Sequence, residues 1–222
     1  VPSQDMVLGI YYLTQERPGS VGEGKYFKSV NEAILAYENK ACTLHSRIHV
    51  RMSKVNAEGE TVAGFVESTL GRFIFNEILP QDLGYVDRTN SDKQFDLEVT
   101  FLVGKKQLGQ IIDRCIKIHG TATTSEVLDK IKATGFKYST KAAITVAVCD
   151  AIIPKEKWDI VNAADAQVDD ITAEYEYGYI SAAEKSKRFI EIWNKATNDV
   201  TTALQNGLDR YNPIFMMADS GA

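Results

Sequence analysis

Three cysteines and three histidines are the side chains of this chain best suited to binding a metal. Cys42, His45 and His49 have the spacing of many zinc ligands. Structural zinc sites need four such ligands close together. In a predicted strand, however, Cys42 faces away from the two histidines, and residues four positions apart are separated by about 13 Å. The strand geometry therefore indicates surface histidines rather than a zinc site.

The remaining candidate groups predict no catalysis. Cys115 and His119 lie four residues apart on a predicted helix, without a third ligand. Asp169 and Asp170 occupy adjacent helical positions, so their side chains diverge and fit a solvated face better than paired-carboxylate chemistry. The sequence has no phosphate-binding loop, no dinucleotide-binding glycine pattern and no nucleophile-elbow motif. We therefore expect no active site or metal ligand set of its own.

Charged residues in the last third of the chain are segregated. An acidic stretch precedes a basic one: Asp159, Asp165, Asp169, Asp170, Glu174 and Glu176, then Lys185, Lys187, Arg188 and Lys195 with Glu184 and Glu191. One interpretation is pairing between neighbouring helices, which contributes little per pair. The other is a docking surface for a charged partner. The sequence leaves both interpretations open.

A helical hairpin is predicted over residues 154–208. Apolar residues recur at heptad spacing in two runs, which are Val161, Ala164, Val168, Ile171 and Tyr175, then Phe189, Trp193, Ala196, Val200 and Ala203. Gly178 interrupts the pattern, and Ser181 with Glu184 forms a predicted capping box. A connection of about three residues makes the helices antiparallel, with arms of about 35 Å at the usual rise per residue.

The first part of the chain mixes helices with a small sheet. Residues 44–52 alternate between apolar and polar side chains, as in a strand with one wet face, with residues 60–68 as its partner after a turn at 57–59. Helices are predicted at residues 3–13, 30–39, 70–79, 106–119 and 126–134. The predicted caps are Ser3 for the first helix, Ser29 for the second, and Thr124 or Ser125 for the last, which is expected to end before a break at Gly135. Ile34 and Leu35 of the second helix and Ile116 of the fourth are expected to face inward. Residues 81–103 are expected to be loop-rich.

These elements define the expected fold class. We predict an α+β chain that is mostly helical, with a small antiparallel β element in its first half and a long antiparallel helical hairpin in its second. The expected domains are residues 1–150 and residues 151–222. The type of structure at 141–149 stays open.

Bulk properties exclude several classes of protein. The chain has 222 residues, 44% of them hydrophobic, and a net charge of −5, which argues against a surface coated for nucleic acid. Its longest apolar run is far below the roughly 20 residues of a membrane span. Three widely spaced cysteines fit a reducing, cytoplasmic compartment. The chain starts at Val1 without methionine and ends in small residues, so we expect a piece of a longer polypeptide.

Three segments resemble the β′ subunit of bacterial DNA-directed RNA polymerase, in the form typical of Gram-positive bacteria. They are Val1–Thr14 (VPSQDMVLGIYYLT), Gly135–Ala142 (GFKYSTKA) and Asn212–Ala222 (NPIFMMADSGA). The matches keep the order of the family and span nearly the whole chain, apart from residues 88–105. The resemblance implies the pore and funnel region, which lines the secondary channel where nucleotides enter and backtracked RNA is extruded.

The resemblance also implies site residues. Gln4, Asp5 and Lys141 are channel-lining candidates, and a helix N-terminus at Gln4 would suit nucleotide phosphates or serve as a plain structural cap. The hairpin corresponds to the rim helices of the channel, where Gre-type cleavage factors dock. The factor-binding candidates are Lys185, Lys187, Arg188 and Glu191.

The family's chemistry is two-metal phosphoryl transfer by a nucleotidyltransferase. Its Mg²⁺-binding motif would precede Val1, and its bridge helix and trigger loop would follow Ala222. We therefore expect no cofactor in this chain and no activity from it alone. Expected partners are the β, α and ω subunits, Gre-type factors, and DNA and RNA through the complex, with no membrane. The alternative is a free-standing helical-hairpin scaffold that binds proteins.

Overall fold

A computed structural model describes residues 2–55, 61–88 and 93–222. Within them the chain forms helices and strands in this order: α1 Asp5–Thr14, β1 Tyr26–Phe27, α2 Val30–Glu38, β2 Arg47–Val55, β3 Thr61–Thr69, α3 Leu70–Glu77, α4 Lys105–Ala142, α5 Lys157–Glu176, α6 Ala182–Gly207 and α7 Pro213–Ser220. A 3₁₀ turn lies at Val148–Asp150. The predicted α+β class, mostly helical with a small sheet, is confirmed.

The chain divides into two compact units. Residues Val1–Ile144 with Met216–Ala222 form one, here called the core unit, and Thr145–Phe215 form the other, the hairpin unit. The predicted boundary after residue 150 lies six residues C-terminal to this one.

The sheet has the order β1-β2-β3. Strands β2 and β3 pair antiparallel, from Arg47 opposite Thr69 to Val55 opposite Thr61, so the predicted strand and its partner are confirmed. Strand β1 pairs with β2 in parallel, which the prediction of a purely antiparallel element missed. A parallel pair needs a long crossover, and α2 supplies it. Strand β1 has only two residues, which are too few for the alternation of apolar and polar side chains that predicts a strand. The predicted turn at 57–59 lies outside the described residues.

The inner face of the sheet is part of the hydrophobic core. Ser46, Ile48 and Val50 are fully buried, whereas Arg47 and Arg51 face solvent, as their alternation predicts. Side chains of α1, α3 and both halves of α4 contribute to this core. It includes Val7, Ile10, Leu13, Leu70, Phe73, Phe75, Leu108 and Ile111.

Helix α1 begins at Asp5, and its predicted Ser3 cap is wrong. The N-cap residue is Gln4, at φ 51° and ψ −126°, and its side chain makes no capping hydrogen bond. The backbone turns at this residue, so Ser3 contributes only its carbonyl oxygen, which accepts a hydrogen bond from the Met6 N–H at 3.2 Å.

Helix α2 has its predicted cap, but the face that it buries differs from the predicted one. The Ser29 hydroxyl accepts a hydrogen bond from the Glu32 N–H at 3.2 Å. Leu35 is 60% exposed, so its predicted inward position is wrong, and Ala33 is fully buried instead. Residues two positions apart point to opposite sides of a helix, so burying Ala33 turns Leu35 outward.

Helix α4 is interrupted only at Gly120, which has φ 75° and ψ −175°. The predicted end of the first helix at Gly120 therefore matches a real break. Helical structure resumes directly after Gly120, so Thr124 lies inside the second helix and does not cap it. The Thr124 hydroxyl donates to the Gly120 carbonyl oxygen at 2.6 Å. The predicted break at Gly135 is wrong, since α4 continues through it. Ile116 is 43% exposed and lies off the buried stripe.

Helices α5 and α6 pack together as the predicted hairpin, joined by five residues. Their 20 and 26 residues correspond to about 30 and 39 Å. The buried hydrophobic residues of the seam are Ala164, Ile171 and Ala196. The Ser181 hydroxyl accepts from the Glu184 N–H at 3.2 Å, which confirms the cap. The Glu184 side chain does not complete the box, because it accepts from Arg188 instead.

Candidate functional site

Gln4 and Asp5 line a cleft of about 630 Å³ in the core unit. The cleft lies between the first turn of α1 and the end of α4, beside the last residues of the chain. Its other lining residues are Leu8, Ser139, Thr140, Ala143, Ile144, Met217 and Ala222. Two of the three predicted channel-lining residues therefore share one concave surface.

Two glycines set the walls of this cleft. A Cβ on Gly9 of α1 would lie 1.9 Å from the carbonyl oxygen of Gly135 in α4. A Cβ on Gly135 would lie 2.7 Å from the Met6 carbonyl oxygen. The two helices thus meet backbone to backbone, which no other residue pair would allow. Gly135 is a packing residue, which is why a sequence-based reading as a helix break fails.

The polar groups of the cleft have limited capacity for binding anions. Asp5 already places a carboxylate at the positive end of α1. The Thr140 hydroxyl donates to the Phe136 carbonyl at 3.0 Å, so its proton is engaged within α4. The Leu8 N–H is likewise bonded to the Gln4 carbonyl at 3.0 Å. Of the two interpretations of this helix start, the local geometry favours a structural one over a phosphate site.

Lys141 does not line this cleft. Its Nζ lies 5.5 Å from the ring centroid of Tyr37 and 5.7 Å from that of Tyr138, a cation–π arrangement. Burial raises the pKa of Tyr138, with the nearby Tyr37 adding to the effect. Lys141 therefore belongs to an aromatic cluster between α2 and α4.

Arg188, at the tip of the hairpin, is bound within the hairpin itself. Its guanidinium donates to Glu174 of α5 at 3.0 Å and to Glu184 of α6 at 2.8 Å. The hydrogen bond to Glu184 is the main cause of a raised Arg188 pKa, and Glu174 adds to it. For Arg188, the structure therefore favours pairing within the hairpin, the first of the two interpretations of its charges.

The other predicted factor-binding residues differ in their surroundings. The Lys185 Nζ lies 4.7 Å from the Tyr175 ring centroid and 5.3 Å from that of Phe189. Lys187 and Glu191 are exposed, and neither has a hydrogen bond, ion pair or ring contact to any residue in the described part of the chain. They are four residues apart on α6 and so lie on one face of the helix.

Two tyrosines in the connection between α5 and α6 were missed by the sequence reasoning. Tyr177 and Tyr179 are 76% and 78% exposed, with ring centroids 6.0 Å apart. Gly178 between them has φ 77°, which turns the chain at the tip. The Tyr-Gly-Tyr run inside a predicted helix break was the available signal, because a turn at the end of a helical hairpin exposes the side chains that flank it.

The cysteines and histidines of the described ranges make separate contacts. Across residues 2–55, 61–88 and 93–222, no group of three or more His, Cys, Asp or Glu side chains is arranged to hold a metal ion. Cys42 is buried, with its Sγ 3.6 Å from the Ala33 carbonyl oxygen. His49 stacks on Tyr26 with ring centroids 4.4 Å apart.

His45 is not the surface histidine that its alternation suggests. Its ring meets the edge of Tyr12 at 4.6 Å, and its Nδ1 lies 3.2 Å from the Gln15 carbonyl oxygen. Burial lowers the pKa of His45. Cys115 and His119, the other predicted pair, have different partners. The Cys115 sulfur lies 3.5 Å from the Thr124 hydroxyl oxygen, whereas the His119 Nε2 lies 2.6 Å from the Asp82 carboxylate.

None of the helices in the described ranges is both long enough and apolar enough to cross a membrane.

Comparison with known proteins identifies the family. Residues 1–151 match the family described as RNA polymerase Rpb1, domain 3. Over all 222 residues, the chain is 54% identical to the DNA-directed RNA polymerase subunit beta' of Lachnoclostridium phytofermentans and 51% identical to that of Acetivibrio thermocellus. It is 50% identical to the same subunit of Clostridium perfringens. The chain spans 18–19% of the length of these relatives. The chain therefore belongs to the family of the β′ subunit of DNA-directed RNA polymerase.

Proposed function

We propose that this chain forms part of the secondary-channel wall of a DNA-directed RNA polymerase and that its hairpin docks Gre-type cleavage factors. The observation that carries the docking proposal is the free charge at the tip. Lys187 and Glu191 are exposed side by side on α6, and no described residue pairs with either of them.

The shape of the hairpin supports docking. Its two helices bury little beyond the seam of Ala164, Ile171 and Ala196. Packing between the two arms therefore leaves most of their surface uncovered. A helical partner would meet a helix face of about 39 Å along α6.

The charges at the tip divide into two groups with different roles. Arg188 stabilises the contact between the arms through Glu174 and Glu184. Lys187 takes no part in that network, so its charge is free to attract a carboxylate of a factor. Charge pairs at the rim of an interface mainly affect the association rate and its salt dependence.

The cleft supports the channel part of the proposal. Gln4 and Asp5 face the open space between α1 and α4. The Asp5 carboxylate repels nucleotide phosphates, so this surface suits the passage of nucleotides better than their retention.

The docking proposal is tested with the Lys187→Glu variant of the complete β′ subunit, assembled into polymerase. We expect the affinity for a purified Gre-type factor to fall by about fivefold to tenfold at low salt, with the difference shrinking as salt increases. Lys155→Glu is the matched control, because it makes the same charge change at an exposed residue near the base of the hairpin.

Equal affinity of Lys187→Glu and wild type at low salt would refute docking at this face. Arg188→Glu is unsuitable as the primary test. It would place a third carboxylate beside Glu174 and Glu184 and disturb the tip itself.

The parent enzyme's chemistry would come from outside this chain. Under this proposal the Mg²⁺ ligands, the β, α and ω subunits, and the DNA and RNA are supplied by the rest of a cytoplasmic polymerase. We expect the purified chain to synthesise no RNA from template, nucleotides and Mg²⁺. RNA synthesis that follows the chain through purification would contradict this.

A further inference from the structure

Strand β3 lies at an edge of the sheet. It pairs with β2 on one side, and no strand in the described ranges pairs with its other side. An unpaired edge presents a row of backbone N–H and C=O groups that can hydrogen-bond to another strand.

The register identifies which backbone groups face outward. The His49 N–H donates to the Lys25 carbonyl at 2.8 Å, so the backbone of His49 points toward β1. Its neighbour Val50 must then point toward β3, where it is opposite Val66.

The residues of β3 between these inward positions therefore direct their backbone groups away from the sheet. They are Ala63, Phe65 and Glu67, and all three are exposed. No hydrogen bond joins their outward groups to another residue in the described part of the chain.

Strand β3 lacks the usual protection of an edge. It is nine residues long, contains no proline and has one charged residue, Glu67. Proteins normally shield such edges with lysines, prolines or very short strands. An open edge of this length is expected to be covered in the native assembly.

The side chains beside the edge are aromatic. Phe65 is 58% exposed and Tyr26 is 65% exposed, with ring centroids 5.3 Å apart. His49 stacks on the Tyr26 ring. The solvent-exposed face of the sheet thus carries an apolar patch next to the unpaired backbone groups of β3.

A cation without a partner lies on the same face. Arg51 is directly opposite Phe65 in the β2–β3 register, so the two side chains share one face. Arg51 has no ion pair or hydrogen bond within the described ranges, whereas Arg47, four residues earlier, contacts Glu16 at 2.6 Å. A partner that covers this face would balance Arg51 with a carboxylate.

We propose that the edge of β3 binds an extended, acidic segment of another protein chain by strand addition. The partner's backbone pairs with Ala63, Phe65 and Glu67. An apolar side chain packs on the Phe65–Tyr26 patch, and a carboxylate binds Arg51. Alternating donors and acceptors match a peptide backbone. Arg51 alone, the cation without a partner that the described residues place on this face, is too little charge for a nucleic acid strand.

The test uses the complete β′ subunit, with the photo-reactive residue p-benzoylphenylalanine at position 65, reconstituted into polymerase from purified subunits. This residue retains an aromatic ring at the patch. We expect a cross-link to an acidic segment of a different subunit, identified by mass spectrometry.

Two pairs of variants examine the mechanism. Ala63→Pro removes an outward N–H and leaves the β2–β3 hydrogen bonds in place, whereas Ala63→Ser retains the N–H. Arg51→Glu reverses the charge, whereas Arg51→Lys keeps it. We expect Ala63→Pro and Arg51→Glu to reduce the cross-link yield by about tenfold, and the two conservative variants to preserve it.

Hydrogen exchange of the β2–β3 pair verifies that Ala63→Pro still folds, and Arg51→Glu tests the proposal independently of that outcome. A cross-link to nucleic acid, to the same chain or to a second copy of it would overturn the proposal. So would the absence of a cross-link, or equal yields from Arg51→Glu and Arg51→Lys. None of these outcomes depends on factor docking at the hairpin.

Discussion

The core unit and the hairpin unit achieve their shapes in different ways. In the core unit, large side chains such as Tyr11, Phe75 and Ile111 are almost completely buried, and helices meet at backbone contacts. In the hairpin unit, the buried hydrophobic residues are small or few, namely Ala164, Ile171 and Ala196. Burial is the main favourable term in folding. The core unit is therefore built to hold a geometry, and the hairpin unit to expose a surface.

The largest expected effect comes from the backbone contact of the core unit. Gly9→Leu would force a side chain into the Gly135 carbonyl, so we expect the core unit to lose cooperative unfolding altogether. Circular dichroism during thermal unfolding measures this. Gly109→Leu is the control, because its Cβ would meet nothing within 4 Å. It should be neutral or stabilising by about 0.5 kcal/mol. A stable Gly9→Leu variant would show that α1 and α4 are not fixed at this contact.

The same substitution in both units compares their cores directly. Ile111 is fully buried and Ile171 is 9% exposed at a two-helix seam. We expect Ile111→Ala to lower the free energy of unfolding of the core unit by about 3–4 kcal/mol. Ile171→Ala should cost the hairpin about 1–2 kcal/mol, because solvent and neighbouring side chains can fill the space. Hydrogen exchange of each unit reports the two values separately. Equal costs would remove the distinction between the units.

Two matched helix caps should have equal effects. Ser29 in the core unit and Ser181 in the hairpin unit each accept one N–H at 3.2 Å from a glutamate three residues later. Replacing either with alanine should cost about 1 kcal/mol. We expect faster hydrogen exchange in the first turn of α6 for Ser181→Ala, and in the first turn of α2 for Ser29→Ala. A much larger effect at Ser181 would show that its cap supports the whole hairpin.

The smallest effect is a pH dependence confined to the core unit. Burial lowers the pKa of His45 in the folded chain, with the nearby Arg17 also lowering it and the hydrogen bond to Gln15 opposing the change. The unfolded chain then binds more protons as pH falls through the ordinary histidine value of about 6.5, so stability decreases with acidity. His45→Gln should flatten this slope in thermal unfolding between pH 7 and 5.

Residues 145–215 contain no histidine, so the hairpin unit provides an internal control for this measurement. A steeper acid dependence in His45→Gln than in wild type would contradict the assignment.

The spacing of apolar residues and the presence of helix-capping residues allowed much of the fold to be predicted. The alternation of residues 44–52 and the heptad spacing of the hairpin each identify an element, because one face of each is buried. Local chemistry also identified the caps at Ser29 and Ser181. These features depend only on residues close together in the chain.

Features that depend on distant contacts were not predictable. Gly135 has the sequence character of a helix end, yet it lies inside α4 because α1 packs against it. Strand β1 is too short to have a period, and Leu35 is exposed because Ala33 occupies the inward position. For the candidate site, the family resemblance predicted Gln4 and Asp5, and the structure places both in one cleft. The resemblance could not indicate that Arg188 pairs with Glu174, while Lys187 has no partner among the residues that the structure describes.

The glycine contact between α1 and α4 also separates the width of the cleft from its chemistry. With only backbone between Gly9 and Gly135, the helices cannot move closer together at this contact. The distance between the start of α1 and the end of α4 is therefore independent of the side chains that line the cleft. Substitutions at Gln4, Ser139 or Thr140 can change what the opening attracts or repels without changing its size. Relatives can thus vary their selectivity while retaining one aperture.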